Sequence, residues 1–167
     1  NFMGATIYSK SLNNGTNEIE LTGLPYLKGK HFNVPNDPSS AAFPSAAALI
    51  VPDSEIKIKN VCLNELRTGF YKTIIEMGGF IKFINKKIIS GEVIGDIHVK
   101  YSKLKGIVVP EKRVPSMIDE FPIFCIVACF AEGETVMNGV KDLRNKESDR
   151  IKEMVENLKK FGFSVKS

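Results

Sequence analysis

An internal repeat constrains the fold of this chain more than any other feature. Two copies of one pattern lie about 80 residues apart. Phe43-Pro44 and the alanine-rich stretch after it match Phe121-Pro122 and the stretch that contains Ala128 and Ala131. Residues 55–61 match 134–140, and Met77-Gly78 matches Phe161-Gly162. A repeat of this length is typical of one supersecondary unit used twice. The chain is therefore predicted to contain two related α/β units whose helices pack together in one lobe.

Strand-like and helix-like stretches alternate along both copies. Asp37 or Ser39 is suited to cap a helix that follows, and Pro44 predicts that its regular part begins near the proline or bends there. The predicted helices are 37–51, 67–78, 121–131 and 146–161; the predicted strands are 17–23, 30–35, 54–63, 107–109, 134–140 and one starting at 163, with a hairpin around Gly91 and Gly95. This order indicates a mixed α/β fold class.

Composition excludes several classes of protein. The longest apolar run, 121–131, is too short to span a bilayer, and the first ten residues lack the layout of a signal peptide, so we expect a cytoplasmic protein and no membrane partner. The net charge of +4 comes from scattered lysines without interleaved aromatic residues, which disfavours a nucleic-acid partner. Cys62, Cys125 and Cys129 form no CxxC pair, so we expect buried thiols and no metal site.

The segment NKESDR, 145–150, precedes an amphipathic stretch and is the first candidate site. If the helix begins at 146, Glu147 lies four residues before Ile151 and projects onto the buried face, with Arg150 beside it. Such a pair combines a carboxylate that exchanges protons with a planar cation that binds phosphate or carboxylate. The alternative is that Asn145 caps the helix and Glu147–Arg150 is an ordinary surface pair.

The segment IDEFP, 118–122, is the second candidate site. Asp119 lies just before the predicted apolar helix, where the structural interpretation is a helix cap. The functional interpretation is a carboxylate that accepts the proton of a substrate hydroxyl as general base. The chain contains no Walker A loop, GxGxxG or GxSxG motif, so kinase, dehydrogenase and hydrolase patterns are not indicated.

Both candidate sites lie in stretches that resemble the enolpyruvyl transferase family. The matching stretches are 36–52, 64–69, 113–139 and 143–151. The resemblance implies repeated βαβαββ units with helices inside and sheets outside, an inside-out α/β barrel of which this chain is a part. It also implies that residues 1–36 end a first lobe and make the crossover, and that 37–167 form part of a second lobe.

The resemblance is greatest to the branch that transfers the enolpyruvyl group of phosphoenolpyruvate to the 5-hydroxyl of shikimate 3-phosphate. By motif, Asp119 would contact and deprotonate that hydroxyl, Lys146 would bind shikimate 3-phosphate, Glu147 would move the proton at the phosphoenolpyruvate methylene, and Arg150 would hold the charged groups of phosphoenolpyruvate. No metal or organic cofactor is implied, and the full-length protein is expected to be a monomer. Other cationic residues of the family lie outside these 167 residues, so the chain alone is predicted to be inactive.

Two other functions stay open at this point. The sister transferase acting on UDP-N-acetylglucosamine shares the repeat fold and the phosphoenolpyruvate chemistry. A non-catalytic anion-binding domain would use Glu147 and Arg150 only as a surface pair. An exposed Glu147 together with an Asp119 remote from Arg150 would favour the second alternative.

Overall fold

The computed structural model describes residues 1–167. Helix α1 (Pro38–Ile50) begins where a polar stretch gives way to alanines, and the Asp37 carboxylate caps it by accepting a hydrogen bond from the backbone N–H of Ser40 at 2.8 Å. The prediction that α1 begins near Pro44 is wrong, because the helix runs through that residue. Pro44 and Ser40 are both exposed, so water can bond the carbonyl that the proline leaves without a donor.

A three-stranded antiparallel sheet follows α1. Its strands are β3 (Glu55–Cys62), β4 (Phe80–Ile89) and β5 (Glu92–Lys100), in the order β3-β5-β4. Alternate residues of β3 face inward, so Ile56 and Ile58 pack on the core while the charged residues between them are exposed. The predicted β4–β5 hairpin is confirmed with its turn at Gly91, which has φ +84°; Gly95 instead lies within β5.

The first residues form a separate two-stranded ribbon. Strands β1 (Ile7–Ser11) and β2 (Asn17–Leu21) pair antiparallel, and both are exposed along their whole length. The strand predicted at 30–35 is absent. Only the next residue, Asn36, makes a bridge, in parallel with Val61 of β3, because the stretch before it has no neighbouring strand to pair with.

The second unit repeats the element order of the first. In the first unit, α1 and β3 are followed by a 3₁₀ segment, Glu65–Arg67, and then α2 (Gly69–Glu76). The second unit has α3 (Phe121–Ala128), β7 (Val136–Met137), a 3₁₀ segment at Lys141–Asn145, and α4 (Arg150–Lys160). A short strand before α3, β6 (Val108–Val109), pairs in parallel with β7. The predicted repeat is confirmed at the level of element order.

The second unit differs from prediction in its element bounds. Helix α3 ends at Ala128 instead of 131, and β7 has two residues instead of seven. Helix α4 begins at Arg150 instead of 146 and is preceded by the 3₁₀ segment. No strand forms after Gly162, whose φ of +87° ends the helix as expected for a C-terminal glycine.

One core joins the two units. Nineteen buried apolar residues from α1, α2, α3 and the inner face of the sheet form a single cluster, including Phe70, Tyr71, Ile74, Ile97 and Phe124. Helices α1, α2 and α3 therefore pack against the inner face of the three-stranded sheet, and the predicted mixed α/β class is confirmed. The seven strands form open sheets of two and three strands, without a closed barrel. None of the helices is both long and apolar enough to cross a membrane.

Candidate active site

The four residues of the predicted site lie on two irregular segments next to helix starts. Asp119 lies in the turn between a 3₁₀ segment, Glu111–Met117, and α3. Lys146 and Glu147 lie in the loop before α4, and Arg150 is the first residue of that helix. Asp119, Lys146 and Glu147 are exposed to solvent.

Glu147 and Arg150 form an ion pair at the entrance of α4. Nη2 of Arg150 donates to both carboxylate oxygens of Glu147, at 3.0 and 3.2 Å. The Glu147 side chain is 78% exposed and that of Arg150 is 27% exposed. The prediction that Glu147 projects onto the buried helical face is wrong, because α4 begins three residues after it. A hydrogen bond from its own backbone N–H and the Arg150 guanidinium hold the pKa of Glu147 below its usual range.

Asp149, and not Asn145, caps α4. Its carboxylate accepts a hydrogen bond from the backbone N–H of Lys152 at 3.0 Å and pairs with Arg144 at 3.1 Å. The helix starts at Arg150 because the Asp149 carboxylate accepts from a backbone N–H of the first turn, which has no acceptor within the helix. The sequence signal for this cap is an Asp two residues before Ile151, the first apolar residue of the helical stripe.

The helix-cap interpretation of Asp119 is also wrong. Glu120 occupies the cap position of α3 and makes no side-chain hydrogen bond to the helix. The Asp119 side chain makes no hydrogen bond or ion pair to any other residue of the chain. It is therefore a free carboxylate on a turn whose backbone is fixed by hydrogen bonds from Glu120 to Met117 and from Phe121 to Ile118.

A small apolar cluster joins the two segments. Its three buried residues are Phe121 at the start of α3, Leu143 in the 3₁₀ segment before the loop, and Ile151 in the first turn of α4. Ile118, the residue before Asp119, packs against the same cluster. Asp119 and the Glu147–Arg150 pair are thus carried by backbone segments anchored in one shared cluster.

A polar network that the sequence did not reveal links the start of α1 to the 3₁₀ segment before α2. Nη2 of Arg67 donates to Asp37 and to the hydroxyl of Ser39, both at 3.0 Å. Glu120, the residue after Asp119, is only 3% exposed; burial raises the pKa of its carboxyl, whereas Ser39 and Arg67 lower it. Nothing in the spacing of residues 37–39 and 67 connects these two segments.

A groove of about 700 Å³ lies between α3 and α4. Its lining is mostly apolar and includes Phe121, Ile151 and Arg144, but none of the four predicted site residues. The site residues instead face open solvent. No three His, Cys, Asp or Glu side chains come together as metal ligands would, and burial raises the pKa of the Cys125 thiol to about 12.

Comparison with known proteins shows the family to which this chain belongs. The family model of EPSP synthase (3-phosphoshikimate 1-carboxyvinyltransferase) matches residues 1–167. The 3-phosphoshikimate 1-carboxyvinyltransferase of Caulobacter vibrioides (strain NA1000 / CB15N) is 56% identical over 139 residues, which are 83% of this chain and 31% of that protein. The enzyme of the same name from Paracoccus denitrificans is 51% identical over 162 residues, 97% of this chain and 36% of the relative.

A solved structure shows the same fold. The EPSP synthase of Acinetobacter baumannii superimposes with a TM-score of 0.86 at 42% identity, and the match covers 95% of this chain and 35% of that chain. The chain thus spans about a third of the length of the relatives that it matches. Because the family model covers every residue, the chain belongs to the EPSP synthase family.

Proposed function

We propose that this chain is part of a longer transferase that moves the enolpyruvyl group from phosphoenolpyruvate to the 5-hydroxyl of shikimate 3-phosphate. One observation carries the proposal: the cluster of Phe121, Leu143 and Ile151 anchors the Asp119 turn and the start of α4 together. The relatives named 3-phosphoshikimate 1-carboxyvinyltransferase support the choice of substrates. Residues 1–36 would end one lobe and 37–167 would build part of the other.

The proposed reaction uses two carboxylates and two cations. Asp119 accepts the proton of the 5-hydroxyl as its oxygen adds to C2 of phosphoenolpyruvate, and Glu147 delivers a proton to C3. Phosphate then leaves C2 and takes up the proton held by Asp119, while Glu147 takes a proton back from C3, which restores the double bond. Lys146 binds shikimate 3-phosphate, and Arg150 binds the charged groups of phosphoenolpyruvate.

The electrostatics of the Glu147–Arg150 pair support the last step and the binding role of Arg150. The lowered pKa of Glu147 favours its carboxylate form, which removes the proton from C3, whereas the earlier delivery of a proton to C3 requires the acid form. Arg150 is partly buried at a helix start, where an anion is also attracted by the helix dipole. A planar guanidinium that is already oriented by one carboxylate can exchange that partner for a substrate anion.

Exposure of the pair is compatible with two interpretations. In a non-catalytic domain it would be a surface pair; in the proposed enzyme it is one wall of a cleft whose other wall comes from the rest of the longer protein. The family membership favours the second. We further propose a cytoplasmic, monomeric full-length enzyme that needs no metal or organic cofactor.

The test uses the longer protein that carries this chain. Phosphate release is measured with phosphoenolpyruvate and shikimate 3-phosphate together and with each alone, and release is expected only with both. A thermal-shift series then compares shikimate 3-phosphate with UDP-N-acetylglucosamine. The release assay is repeated with UDP-N-acetylglucosamine in place of shikimate 3-phosphate. Phosphate release only with the nucleotide sugar would replace this proposal with the sister activity. No phosphate release with either acceptor would favour the anion-binding domain.

A further inference from the structure

An ion pair joins the two ends of the loop that carries Lys146 and Glu147. Residues 146–149 have neither helical nor strand structure, so no regular ladder of backbone hydrogen bonds holds this loop in shape. Nη1 of Arg144, in the 3₁₀ segment before the loop, donates to Oδ2 of Asp149, the residue before α4, at 3.1 Å. The side chain of Arg144 is 45% exposed and that of Asp149 is 31% exposed. The loop is therefore closed by a hydrogen-bonded ion pair that is partly shielded from water.

The two carboxylate oxygens of Asp149 have different partners. Oδ1 accepts from the backbone N–H of Lys152 at 3.0 Å and caps α4, while Oδ2 accepts from Arg144. The hydrogen bond from Lys152, followed by that from Arg144, lowers the pKa of Asp149 and favours its carboxylate form. One side chain thus connects the closure of the loop to the start of α4, where Arg150 is the first residue.

Apolar contacts hold the chain on either side of the loop. Leu143, next to Arg144, is fully buried, and Ile151, two residues after Asp149, is 7% exposed. Both belong to the cluster that contains Phe121. These contacts fix where the chain enters and leaves the loop. The Arg144–Asp149 pair lies between them and acts on the loop itself.

The loop contains a second ion pair, Glu147–Arg150, which opens in the proposed reaction. There Arg150 binds the charged groups of phosphoenolpyruvate, so its guanidinium exchanges the Glu147 carboxylate for a substrate anion. Arg144 and Asp149 have no role in that exchange. Their hydrogen bond therefore stays in place after Glu147 has lost its partner.

We propose that Arg144 and Asp149 are positioning residues, which keep the loop of Glu147 in its reactive shape when Arg150 has taken up phosphoenolpyruvate. This inference rests on the proposed function. A displacement of about 1 Å in a reacting group costs about 10²-fold in rate. Proton transfer by Glu147 needs hydrogen-bond contact, whereas the attraction between a cation and an anion falls gradually with distance. Loss of the Arg144–Asp149 pair should therefore lower kcat more than it raises KM.

The kinetic test removes the pair from either side in the longer protein. Arg144→Met removes the cation and keeps an apolar side chain. Asp149→Asn has one acceptor oxygen, which asparagine uses for the helix cap, so this variant loses only the bond to Arg144. We expect each variant to lower kcat by about 10²-fold, with a smaller rise in KM for phosphoenolpyruvate. Lys141→Met, at an exposed lysine of the same 3₁₀ segment, is the matched control and should leave kcat unchanged.

Two further variants separate positioning from a general loss of structure. Arg144→Lys keeps the charge, and one donor is enough for the single bond to Asp149, so it should restore most of the turnover. The double variant of Arg144→Met and Asp149→Asn should be no worse than either single variant, because all three lack the same bond.

Three results would overturn the inference: normal turnover of either single variant, additive losses in the double variant, or an Arg144→Lys variant as impaired as Arg144→Met. If Arg144→Met does not fold, Asp149→Asn tests the same bond by itself. Its normal turnover would then contradict the proposal.

An NMR measurement separates this inference from the proposed function. Lys152 donates its backbone N–H to the Asp149 oxygen that Arg144 does not contact. In the longer protein with isotope-labelled lysine, Arg144→Met should therefore shift the backbone amide resonance of Lys152, and Lys141→Met should leave it in place. An unmoved Lys152 resonance in Arg144→Met would overturn the contact that carries the inference. A shifted resonance in a protein without transferase activity would uphold the contact and reject only the proposed function.

Discussion

Arg150, the first residue of α4, donates from one nitrogen to both carboxylate oxygens of Glu147, at 3.0 and 3.2 Å. Glu147 lies before this helix, although the sequence predicted a helix start at 146, and its side chain is 78% exposed. The pair therefore adds little to folding. In the proposed enzyme the pair would contribute to catalysis instead. Its contributions to turnover and to folding stability can be measured separately.

Glu147→Gln should lower kcat of the longer protein by about 10²- to 10⁴-fold, because an amide cannot exchange the proton at C3. The denaturant midpoint of the 167-residue chain should not move, since the carboxylate is exposed. Steady-state phosphate release and urea unfolding provide the two measurements. Glu153→Gln, at an exposed glutamate without an ion pair three residues into α4, is the control. Normal turnover of Glu147→Gln would remove this residue from the mechanism.

Asp119→Asn should lower kcat by a similar factor of about 10²- to 10⁴-fold, because asparagine cannot accept the hydroxyl proton. Folding should be unaffected, since the Asp119 side chain is exposed and does not cap α3. Phosphate release and circular dichroism check the two expectations. Asp53→Asn, at an exposed aspartate in the α1–β3 turn, should behave as wild type. A loss of helix signal in Asp119→Asn would point to a structural role instead.

Arg113→Met should destabilise the chain by about 1 kcal/mol, which is below the usual range for charged hydrogen bonds because Glu76 is 44% exposed and water screens the pair. Arg113 donates two hydrogen bonds of 2.6 Å to Glu76, which ties α2 to the segment before the Asp119 turn. Lys112→Met, at the exposed neighbour, should change stability by less. Equal unfolding free energies for the two variants would contradict this account.

The same pair predicts the direction of a pH effect. The Arg113 hydrogen bonds hold the pKa of Glu76 below its ordinary value of 4.5. A lowered pKa in the folded state gives stability that is present above pH 4.5 and is lost as the pH falls through the folded-state pKa. The unfolding free energy of Arg113→Met should therefore decline less steeply on acidification below pH 4.5 than that of wild type.

Gly106→Ala should destabilise the chain by about 1–3 kcal/mol, the usual range for overpacking. A Cβ at Gly106 would collide with the backbone of Glu134, and backbone cannot move aside as a flexible side chain can. The Gly106 N–H also donates to the Glu132 carbonyl at 2.7 Å, which fixes this approach. Gly23→Ala is the control, because a Cβ there meets no atom within 4 Å. Thermal unfolding of both variants tests the difference.

The 167-residue chain alone should release no phosphate from the two substrates. Charge stabilisation in a transition state depends on oriented groups in a site from which water is excluded, and here the Glu147 side chain is 78% exposed. Adding the remaining part of the longer protein in trans should restore turnover if the two parts associate. Turnover by the purified chain alone would show that these residues form a sufficient site.

The sequence by itself determined the repeat, the α/β class and the helical stripes, because these depend on local periodicity and on residues such as Asp37 whose capping preference acts over three or four positions. It also supplied the four proposed site residues, through motifs that resemble those of the family. It did not determine the start of α4, where Asp149 competes with Asn145 for the cap; the burial of Ile151 and Leu143 against Phe121 selects the later start.

Only the tertiary structure decided which side chains face solvent and which polar groups meet. Glu147 is exposed, although the helical projection placed it on the buried face. Glu120 is buried, which no pattern in the sequence indicated. The Arg67 guanidinium meets Asp37 and Ser39, which are distant from it in sequence. Periodicity describes the faces of one element, whereas burial depends on what other elements place against those faces, and that arrangement exists only in the folded chain.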